Sequence, residues 1–253
     1  MFKTAVASVS FRPYRAEEII KAAKESGIDA IEWGSDVHAT VGDTDALKKI
    51  RDLSKDFGVG VLSYGSYYRL GKDDPKDIKA YINAAEILGT DCIRIWCAEK
   101  ASAEIGDTEL KKLISDGKAV SRIAKENNIT LCLECHPFTL TDDYKASLNF
   151  IEAVDSPNLK MYWQPNQFKS EKYNLLSAKA LAPVTENLHV FHWDSEYKKY
   201  PLCEGTYIWE KYLSFFKEKD HNLILEFMHD DRLKTLKSTA ETLREFIKSS
   251  QQK

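Results

Sequence analysis

The strongest constraint on the fold is a pattern in which a short apolar run is followed by a longer amphipathic stretch. The pattern repeats eight times across 253 residues, with a period of roughly thirty residues. Apolar runs of about four to eight residues between turn signals predict buried strands, and the amphipathic stretches predict helices that cover them. No linker-like segment interrupts the series. We therefore expect one domain over residues 1–253.

The predicted strands are rich in aliphatic and β-branched residues, which is typical of strands buried on both faces. Helical spacing of apolar residues predicts a helix after each strand, and Gly27, Gly58 and Gly89 are suited to end three of these helices. The strands are predicted at Lys3–Val9, Ile28–Gly34, Val59–Tyr64, Cys92–Trp96, Ile129–Glu134, Leu159–Gln164, Leu188–Trp193 and Leu223–Phe227.

Eight strand–helix pairs predict a closed parallel barrel. Parallel strands need crossover helices, and eight is the common number of strands at which such a sheet closes. We therefore predict the α/β class and a (β/α)8 TIM barrel. An open, doubly wound sheet is the alternative, which is disfavoured because no glycine-rich phosphate loop follows an early strand.

Composition excludes several classes of protein. Hydrophobic residues make up 43% and charged residues 30%, as in soluble globular proteins. The net charge is -3 without a dense basic block, so we expect no nucleic-acid partner. No segment approaches transmembrane length and the N-terminus lacks signal-peptide features, so we expect no membrane partner. Five cysteines without extracellular cues indicate a reducing, cytoplasmic setting, and a homo-oligomer remains open.

The run Ile129–Pro137 ends abruptly in a carboxylate, an imidazole and a proline. A carboxylate at the end of an apolar strand costs several kcal/mol unless it is paired, hydrogen-bonded or bound to a cation. Glu134 occupies this position, and Glu226 repeats it after the last apolar run. Two such carboxylates indicate a bound cation.

Polar residues close six of the predicted strands. In barrels of this type the active site lies at the C-terminal ends of the strands, so these residues are candidates for it. By alternation, each is predicted on the inward face of its strand. Carboxylate and amide oxygens with an imidazole suit one divalent ion, namely Mn²⁺, Mg²⁺, Co²⁺ or Zn²⁺. The residues are Glu32, Arg94, Glu134, Gln164, His192 and Glu226.

Some of these residues also have a purely structural interpretation. Arg94 is equally well explained as a buried partner that neutralises Glu32 or Glu134. Taken alone, His192 is more often a hydrogen-bonded core histidine than a ligand, but its place in the series of strand ends favours a ligand. His38 lies in the loop after the second strand, where we favour contact with substrate.

Five short motifs occur in a defined order along the chain. They are Ile31-Glu32-Trp33-Gly34 with His38, Ile93-Arg94-Ile95-Trp96, Leu133-Glu134-Cys135-His136, His192-Trp193-Asp194 with a later Glu204-Gly205, and Leu225-Glu226-Phe227. No single motif is diagnostic, but their order and spacing resemble the xylose isomerase-like barrel superfamily. The resemblance is to its sugar isomerase and epimerase branch, related to ketose 3-epimerases, hydroxypyruvate isomerase and inosose dehydratase. It covers nearly the whole chain.

The resemblance implies one divalent metal ion held by residues at the ends of strands five to eight, here Glu134, Gln164, His192 and Glu226. Where the family typically has Asp-x-x-His after strand six, this chain has glutamines at 164 and 167. The neutral amide predicts a more weakly held ion. Contacts with the substrate are expected from Glu32, Trp33, His38, Arg94, Trp96, His136 and Gln167.

The activity implied by the resemblance is isomerisation or epimerisation of a free sugar or small hydroxy-ketone. A bound ion would stabilise an enediolate, with Glu134 and Glu226 as acid and base. Loss of a hydroxyl from the same species would make the protein a dehydratase, and non-catalytic sugar binding is a further alternative. Acidic loops after strands seven and eight disfavour a phosphorylated substrate.

A related branch acts on DNA at abasic sites with several zinc ions. This chain has only six histidines, of which His189 is predicted to face outward, and it has no basic groove. We therefore expect a small-molecule sugar or polyol-derived substrate instead of DNA.

Overall fold

A computed structural model describes residues 2–252 and shows a closed barrel in which eight parallel strands follow one another in chain order. The predicted fold, a single-domain (β/α)8 TIM barrel, is confirmed. The strands are β1 (Phe2–Ala7), β2 (Ala30–Gly34), β3 (Gly60–Leu70), β4 (Cys92–Cys97), β5 (Thr130–Glu134), β6 (Leu159–Trp163), β7 (Thr185–Val190) and β8 (His221–Leu225).

A helix follows each strand and packs on the outside of the barrel. Among residues 2–252, no helix has both the length and the apolarity needed to cross a membrane. The helices are α1 (Ala16–Glu25), α2 (Thr44–Phe57), α3 (Ile78–Leu88), α4 (Asp107–Glu126), α5 (Tyr144–Val154), α6 (Glu171–Leu181), α7 (Thr206–Leu213) and α8 (Leu233–Gln252).

Local capping explains where several helices begin and end. The side chain of Asp43 accepts a hydrogen bond from the backbone N–H of Ala46, and this bond satisfies one of the free N–H groups at the start of α2. Gly58 and Gly89 follow α2 and α3 with left-handed backbone angles, φ 65° and 82°, which glycine adopts without strain. The predicted glycine stops at these two positions are confirmed.

Two layers of side chains pack on opposite faces of the strands. Aliphatic and aromatic residues such as Leu131, Leu133 and Trp163 fill the layer between the strands and the helices. The barrel interior holds a smaller apolar cluster of Ala5, Ala7, Val9, Cys92, Cys132, Tyr162 and Ile224. The buried charged residues Glu32, Arg94, Glu134 and Glu226 lie at or near the C-terminal ends of their strands, beyond this apolar cluster.

Strand β7 differs from its predicted position in a way that changes the site. It begins and ends three residues earlier than predicted, and it pairs His189 with Ile224 of β8. Leu188 and Val190 face the helices, so the alternating His189 faces the barrel interior and is fully buried. The prediction that His189 faces outward is wrong, because the apolar pair that flanks it occupies the outer layer.

A second buried histidine lies at the opposite, N-terminal end of the barrel. His221 starts β8, and its ring stacks on Phe2 and meets the edge of Phe216. Its Nδ1 lies 3.3 Å from the carbonyl oxygen of Glu186. Burial lowers the pKa of His221 to about 4, so the folded protein favours the neutral ring.

This depressed pKa predicts a loss of stability in acid. The unfolded chain takes up the proton near pH 6.5, whereas the folded chain resists it until about pH 4. The contribution is therefore complete above pH 6.5, and about 3 kcal/mol of it is lost as the pH falls to 4. Urea unfolding of His221→Phe, compared with the unchanged protein across this range, should show a shallower decline for the variant. Parallel declines would contradict the assignment.

Candidate active site

A cavity of about 220 Å³ opens at the C-terminal end of the barrel. Its floor and rim carry Arg12, Arg94, Glu134, His136, Gln164, Gln167 and Glu226. Its walls carry seven aromatic residues, namely Tyr67, Trp96, Phe138, Phe191, Trp193, Tyr197 and Phe227. A larger opening at the other end of the barrel, about 840 Å³, lies away from this set of ionisable groups. The C-terminal cavity is therefore the candidate active site.

Three oxygen atoms converge on one nitrogen at the base of the cavity. Nδ1 of His189 lies 2.9 Å from Oε1 of Gln164 and 3.3 Å from Oε2 of Glu226. Oε1 of Glu134 lies 3.6 Å from the same nitrogen. Donor atoms of Glu134, His189 and Glu226 all lie within 4.8 Å of one another. The ends of four neighbouring strands, β5 to β8, thus deliver one donor each.

A buried ion-pair network supports this group from below. Arg94 of β4 pairs with Glu134 and also with Glu32 of β2, with 3.3 Å between its Nε and Oε1 of Glu32. Ser63 donates a hydrogen bond of 3.0 Å to the other oxygen of Glu32. A Cβ at Gly65 would lie 3.0 Å from both Arg94 and Glu32, so the absence of a side chain there leaves room for the pair. The predicted buried partnership of Arg94 with these carboxylates is observed.

Burial and neighbouring charges shift the pKa values of Glu134, Glu226 and His189 in different directions. Burial alone would raise the pKa of Glu134, but Arg94 and His189 hold it well below its usual range. Burial and the nearby Glu134 raise the pKa of Glu226 to about 7, against the opposing effect of His189. Although burial lowers the pKa of His189, Glu226 and Glu32 raise it to about 10. In the metal-free protein, the pKa of Glu226 is therefore raised while that of Glu134 is lowered.

The donor set fits a divalent cation. Metal ligands must be deprotonated, so in the ligating state His189 is neutral and Glu32, Glu134 and Glu226 are all ionised. Their three negative charges then face the single positive charge of Arg94, which leaves two unbalanced. Two carboxylates, one amide oxygen and one imidazole are ligand types that Mn²⁺, Mg²⁺ and Zn²⁺ accept. The residues present can therefore hold one divalent ion without excess charge.

The structure brings together most of the predicted site residues. Arg94, Trp96, His136 and Gln167, expected to contact the substrate, line the cavity. Their roles, like those of Glu134, Gln164 and Glu226, stay predictions. Glu32 lies beneath the cavity and is almost fully buried.

Trp33 and His38 were also predicted to contact the substrate, but they lie away from the cavity. Trp33 alternates with Glu32 and packs in the layer that faces the helices. His38 meets the edge of Trp33, and its Nε2 contacts the carbonyl oxygen of Tyr14 at 2.9 Å, so it is held away from the cavity. For both residues the expected contact with substrate is corrected, because neither lines the cavity.

The placement of His192 is also corrected. It follows the end of β7, and its ring lies against Gly205 and near Tyr200, with 5.6 Å between the ring centroids. It does not line the C-terminal cavity, and His189 takes the position expected of it. The signal that would have identified His189 is the apolar pair Leu188 and Val190, which matches the outer-layer residues of the other strands.

Sequence reasoning also missed Arg12, which follows β1 and lines the cavity. Its guanidinium donates hydrogen bonds to Asp36 at 2.5 Å, to the Val9 carbonyl oxygen at 3.0 Å and to the Tyr67 hydroxyl at 3.0 Å. Asp36 and Tyr67 lie 24 and 55 residues further along the chain, so local sequence carried no signal for these two contacts.

The fold and the site together define a (β/α)8-barrel protein with a buried carboxylate–imidazole centre at the mouth of the barrel. The chain belongs to the xylose isomerase-like TIM barrel family, whose sequence profile matches residues 20–249. The resemblance inferred from the motifs is confirmed.

Named relatives fall into two groups. A 3-dehydroshikimate dehydratase of Bacillus anthracis is 24% identical over 272 aligned positions, which cover 95% of this chain and 96% of that protein. The crystal structure of a probable 3-DHS dehydratase involved in petrobactin synthesis in Bacillus anthracis has a TM-score of 0.83 at 22% identity, covering 96% and 98% of the two chains. D-psicose 3-epimerase of Clostridium cellulolyticum, solved with D-tagatose, has a TM-score of 0.70 at 12% identity, covering 98% and 99%. The two solved structures share the fold.

Proposed function

We propose that this protein is a divalent-metal-dependent lyase that removes water from a cyclic hydroxy-ketone bearing a carboxylate, a class that includes 3-dehydroshikimate. The observation that carries the proposal is one cavity that combines the Glu134, His189 and Glu226 cluster with seven aromatic residues. The cluster suits acid–base chemistry beside a carbonyl group, and the aromatic walls suit a flat ring. Similarity to a 3-dehydroshikimate dehydratase over nearly the full length supports the same choice.

Glu134, Gln164, His189 and Glu226 would hold the ion. When bound, the ion supplies positive charge that stabilises negative charge developing on a substrate carbonyl oxygen. Arg94 and Trp96 both donate hydrogen bonds to Glu134 and fix its carboxylate. Glu134 is therefore better suited to ligation than to proton transfer.

Loss of water requires one group that takes a proton from carbon and one that returns a proton to the departing hydroxyl. Glu226 suits either task because, unlike Glu134, it accepts no hydrogen bond from Arg94 or Trp96 in the described chain, so an oxygen that does not bind the ion can exchange a proton. His136 lines the same cavity, and its Nδ1 lies 2.7 Å from the carbonyl oxygen of Pro137. Donation from Nδ1 to that oxygen would leave Nε2 as a proton acceptor. We assign Glu226 and His136 as the acid–base pair.

The position of Arg12 favours a substrate that bears a carboxylate. A guanidinium has five N–H donors, and its three hydrogen bonds to Asp36, Val9 and Tyr67 leave one N–H on each terminal nitrogen. Two such donors match the two oxygens of a carboxylate. Because Arg12 is held in place before the substrate arrives, less conformational entropy is lost on binding.

Sugar isomerisation or epimerisation, the activity expected from the sequence, is the second candidate. It is favoured by the proximity of Glu134 and Glu226 to one nitrogen and by the shared fold with D-psicose 3-epimerase. Two carboxyl groups at one centre can remove and return a proton on a sugar carbon.

The test is turnover by metal-loaded protein on 3-dehydroshikimate and on a panel of free ketoses and ketose phosphates. We expect loss of water from the ring substrate, followed by the ultraviolet absorbance of the aromatic product, and its disappearance with a chelator. Turnover of ketoses alone would favour the second candidate. Failure to bind Mn²⁺ or any of the substrates would refute both.

Gln164 provides a specific test of the metal site. Gln164→Glu adds a negative charge next to Nδ1 of His189 without shortening the side chain. We expect a Mn²⁺ dissociation constant about tenfold lower, which corresponds to about 1.4 kcal/mol. Titration calorimetry on metal-stripped protein measures it.

Gln167→Glu is the matched control for this test. Gln167 lines the same cavity, but none of its contacts in the described chain reaches His189, so its added charge should tighten Mn²⁺ binding much less. Equal affinities for Gln164→Glu and the unchanged protein would leave a three-residue site of Glu134, His189 and Glu226.

A further inference from the structure

Glu32 faces the second ring nitrogen of His189. Oε1 of Glu32 lies 3.4 Å from Nε2 of His189, and both side chains are almost completely buried. Within residues 2–252, neither of these two atoms has a hydrogen-bond partner. Apart from the ion pair of Oε1 with Arg94, these two buried atoms therefore meet at this distance without a hydrogen bond, which they can form when Nε2 carries a proton.

The orientation of the His189 ring shows that a bound metal ion would leave the proton on Nε2. Its Nδ1 faces Gln164, Glu134 and Glu226, so a metal ion held by this group would bind Nδ1. A neutral imidazole that binds metal through Nδ1 carries its proton on Nε2. This N–H needs an acceptor because an unpaired buried donor is costly, and Glu32 is the carboxylate that it meets.

Glu32 is itself fixed by its surroundings. Ser63 donates a hydrogen bond of 3.0 Å to Oε2 of Glu32, and the hydroxyl of Tyr162 donates one of 2.7 Å to Ser63. Arg94 lies 3.3 Å from Oε1 on the other side. These contacts hold Oε1 towards His189, and burial keeps the carboxylate out of reach of a substrate in the cavity.

We propose that Glu32 is a positioning residue that accepts the Nε2–H of His189 and so presents Nδ1 to the metal ion. Glu32 therefore has this role instead of the contact with substrate that was expected from the sequence. The proposal rests on the proposed metal site. A carboxylate behind a ligating histidine fixes the ring and increases its basicity, and loss of such a partner typically weakens metal binding by about 10–100-fold.

Metal affinity provides the first test. We expect Glu32→Gln, measured by titration calorimetry on metal-stripped protein, to bind Mn²⁺ about 10–100-fold more weakly than the unchanged protein. Trp33→Phe is the matched control, because Trp33 is the next residue on β2 and its side chain packs on the opposite face. It should lower the thermal unfolding temperature and leave the dissociation constant within about twofold.

The ring protons of His189 provide a second test that a purely structural role would not affect. In Mg²⁺-loaded protein labelled with ¹⁵N-histidine, we expect His189 to carry its proton on Nε2, with a downfield ¹H resonance typical of donation to a carboxylate. His189→Gln identifies the resonance by its disappearance. The spectrum of the unchanged protein suffices for this test if Glu32→Gln fails to fold.

The results of these two tests distinguish failure of the proposed role of Glu32 from failure of the proposed metal site. Unchanged Mn²⁺ affinity in folded Glu32→Gln, or a proton on Nδ1 in the loaded protein, would overturn the role of Glu32 alone. Absence of Mn²⁺ binding by the unchanged protein would overturn both the metal site and this role. Weaker binding in Glu32→Gln with the proton on Nε2 would establish it.

Discussion

His189→Ala is expected to reduce Mn²⁺ affinity by more than 100-fold. Among the described residues, His189 supplies the one nitrogen of the Glu134, His189 and Glu226 group, and Gln164, Glu134 and Glu226 all face its Nδ1. Because loss of an outer partner alone costs about 10–100-fold, loss of a ligand should cost more. Titration calorimetry on metal-stripped protein measures the change.

His192→Ala is the matched control, since it removes the histidine that the sequence had favoured as the ligand. Its ring packs against Gly205 outside the cavity, so Mn²⁺ affinity should stay within about twofold of the unchanged protein. The reverse result, in which only the His192 variant loses binding, would show that the loop after β7 rearranges around the ion.

Glu226→Gln should lower turnover on the identified substrate by about 10²–10⁴-fold, the usual contribution of a general acid or base. Glu226 lines the cavity and, unlike Glu134, accepts no hydrogen bond from Arg94 or Trp96 in the described chain, so it is the carboxylate that can exchange a proton with the substrate. Turnover by the metal-loaded variant at saturating Mn²⁺ measures the loss. A metal-loaded variant with near-normal turnover would exclude Glu226 from proton transfer.

Glu134→Gln should lower turnover to a similar extent for a different reason. This carboxylate pairs with buried Arg94, so its loss should destabilise the protein by about 3 kcal/mol as well as weaken metal binding. Glu226→Gln should not destabilise the metal-free protein, because it removes one of several crowded carboxylates. Thermal unfolding of both variants distinguishes these effects.

Glu204→Gln is the control for both substitutions. Glu204 interacts with His192 and does not line the cavity, so its neutral variant should keep normal turnover. A large loss of turnover in this variant would indicate that the loop after β7 contributes to the site in a way that the two carboxylates do not explain.

Aromatic residues from the loops beyond the strand ends form part of the cavity wall. Phe138, Phe168 and Tyr197 form an exposed series of ring contacts, with centroid separations of 6.0 and 5.3 Å, and Phe138 and Tyr197 belong to the cavity wall. These two residues have positive φ angles of 62°, which are unusual for bulky side chains. Such strain is retained where the surrounding structure demands it, and here it lies at the mouth of the candidate active site.

Much of the fold and part of the site follow from local sequence. Eight apolar runs separated by amphipathic stretches define the barrel, and alternation within β2, β5 and β8 correctly separates Glu32, Glu134 and Glu226 from the residues that face the helices. Alternation is a property of the backbone of a single strand. It can therefore be predicted without knowledge of the neighbouring strands.

Only the tertiary structure decided which histidine belongs to the centre. The bounds of β7 depend on its hydrogen bonds to two neighbouring strands, which pair Asn187 with Tyr162 of β6 and His189 with Ile224 of β8. A strand predicted three residues too late assigns every side chain to the wrong face, because side chains alternate with a period of two. Likewise, the pairing of Arg94 with two carboxylates and the contacts of Arg12 join distant segments of the chain. Periodicity is local and was available from the sequence, whereas register and these long-range ion pairs exist only once the barrel has closed.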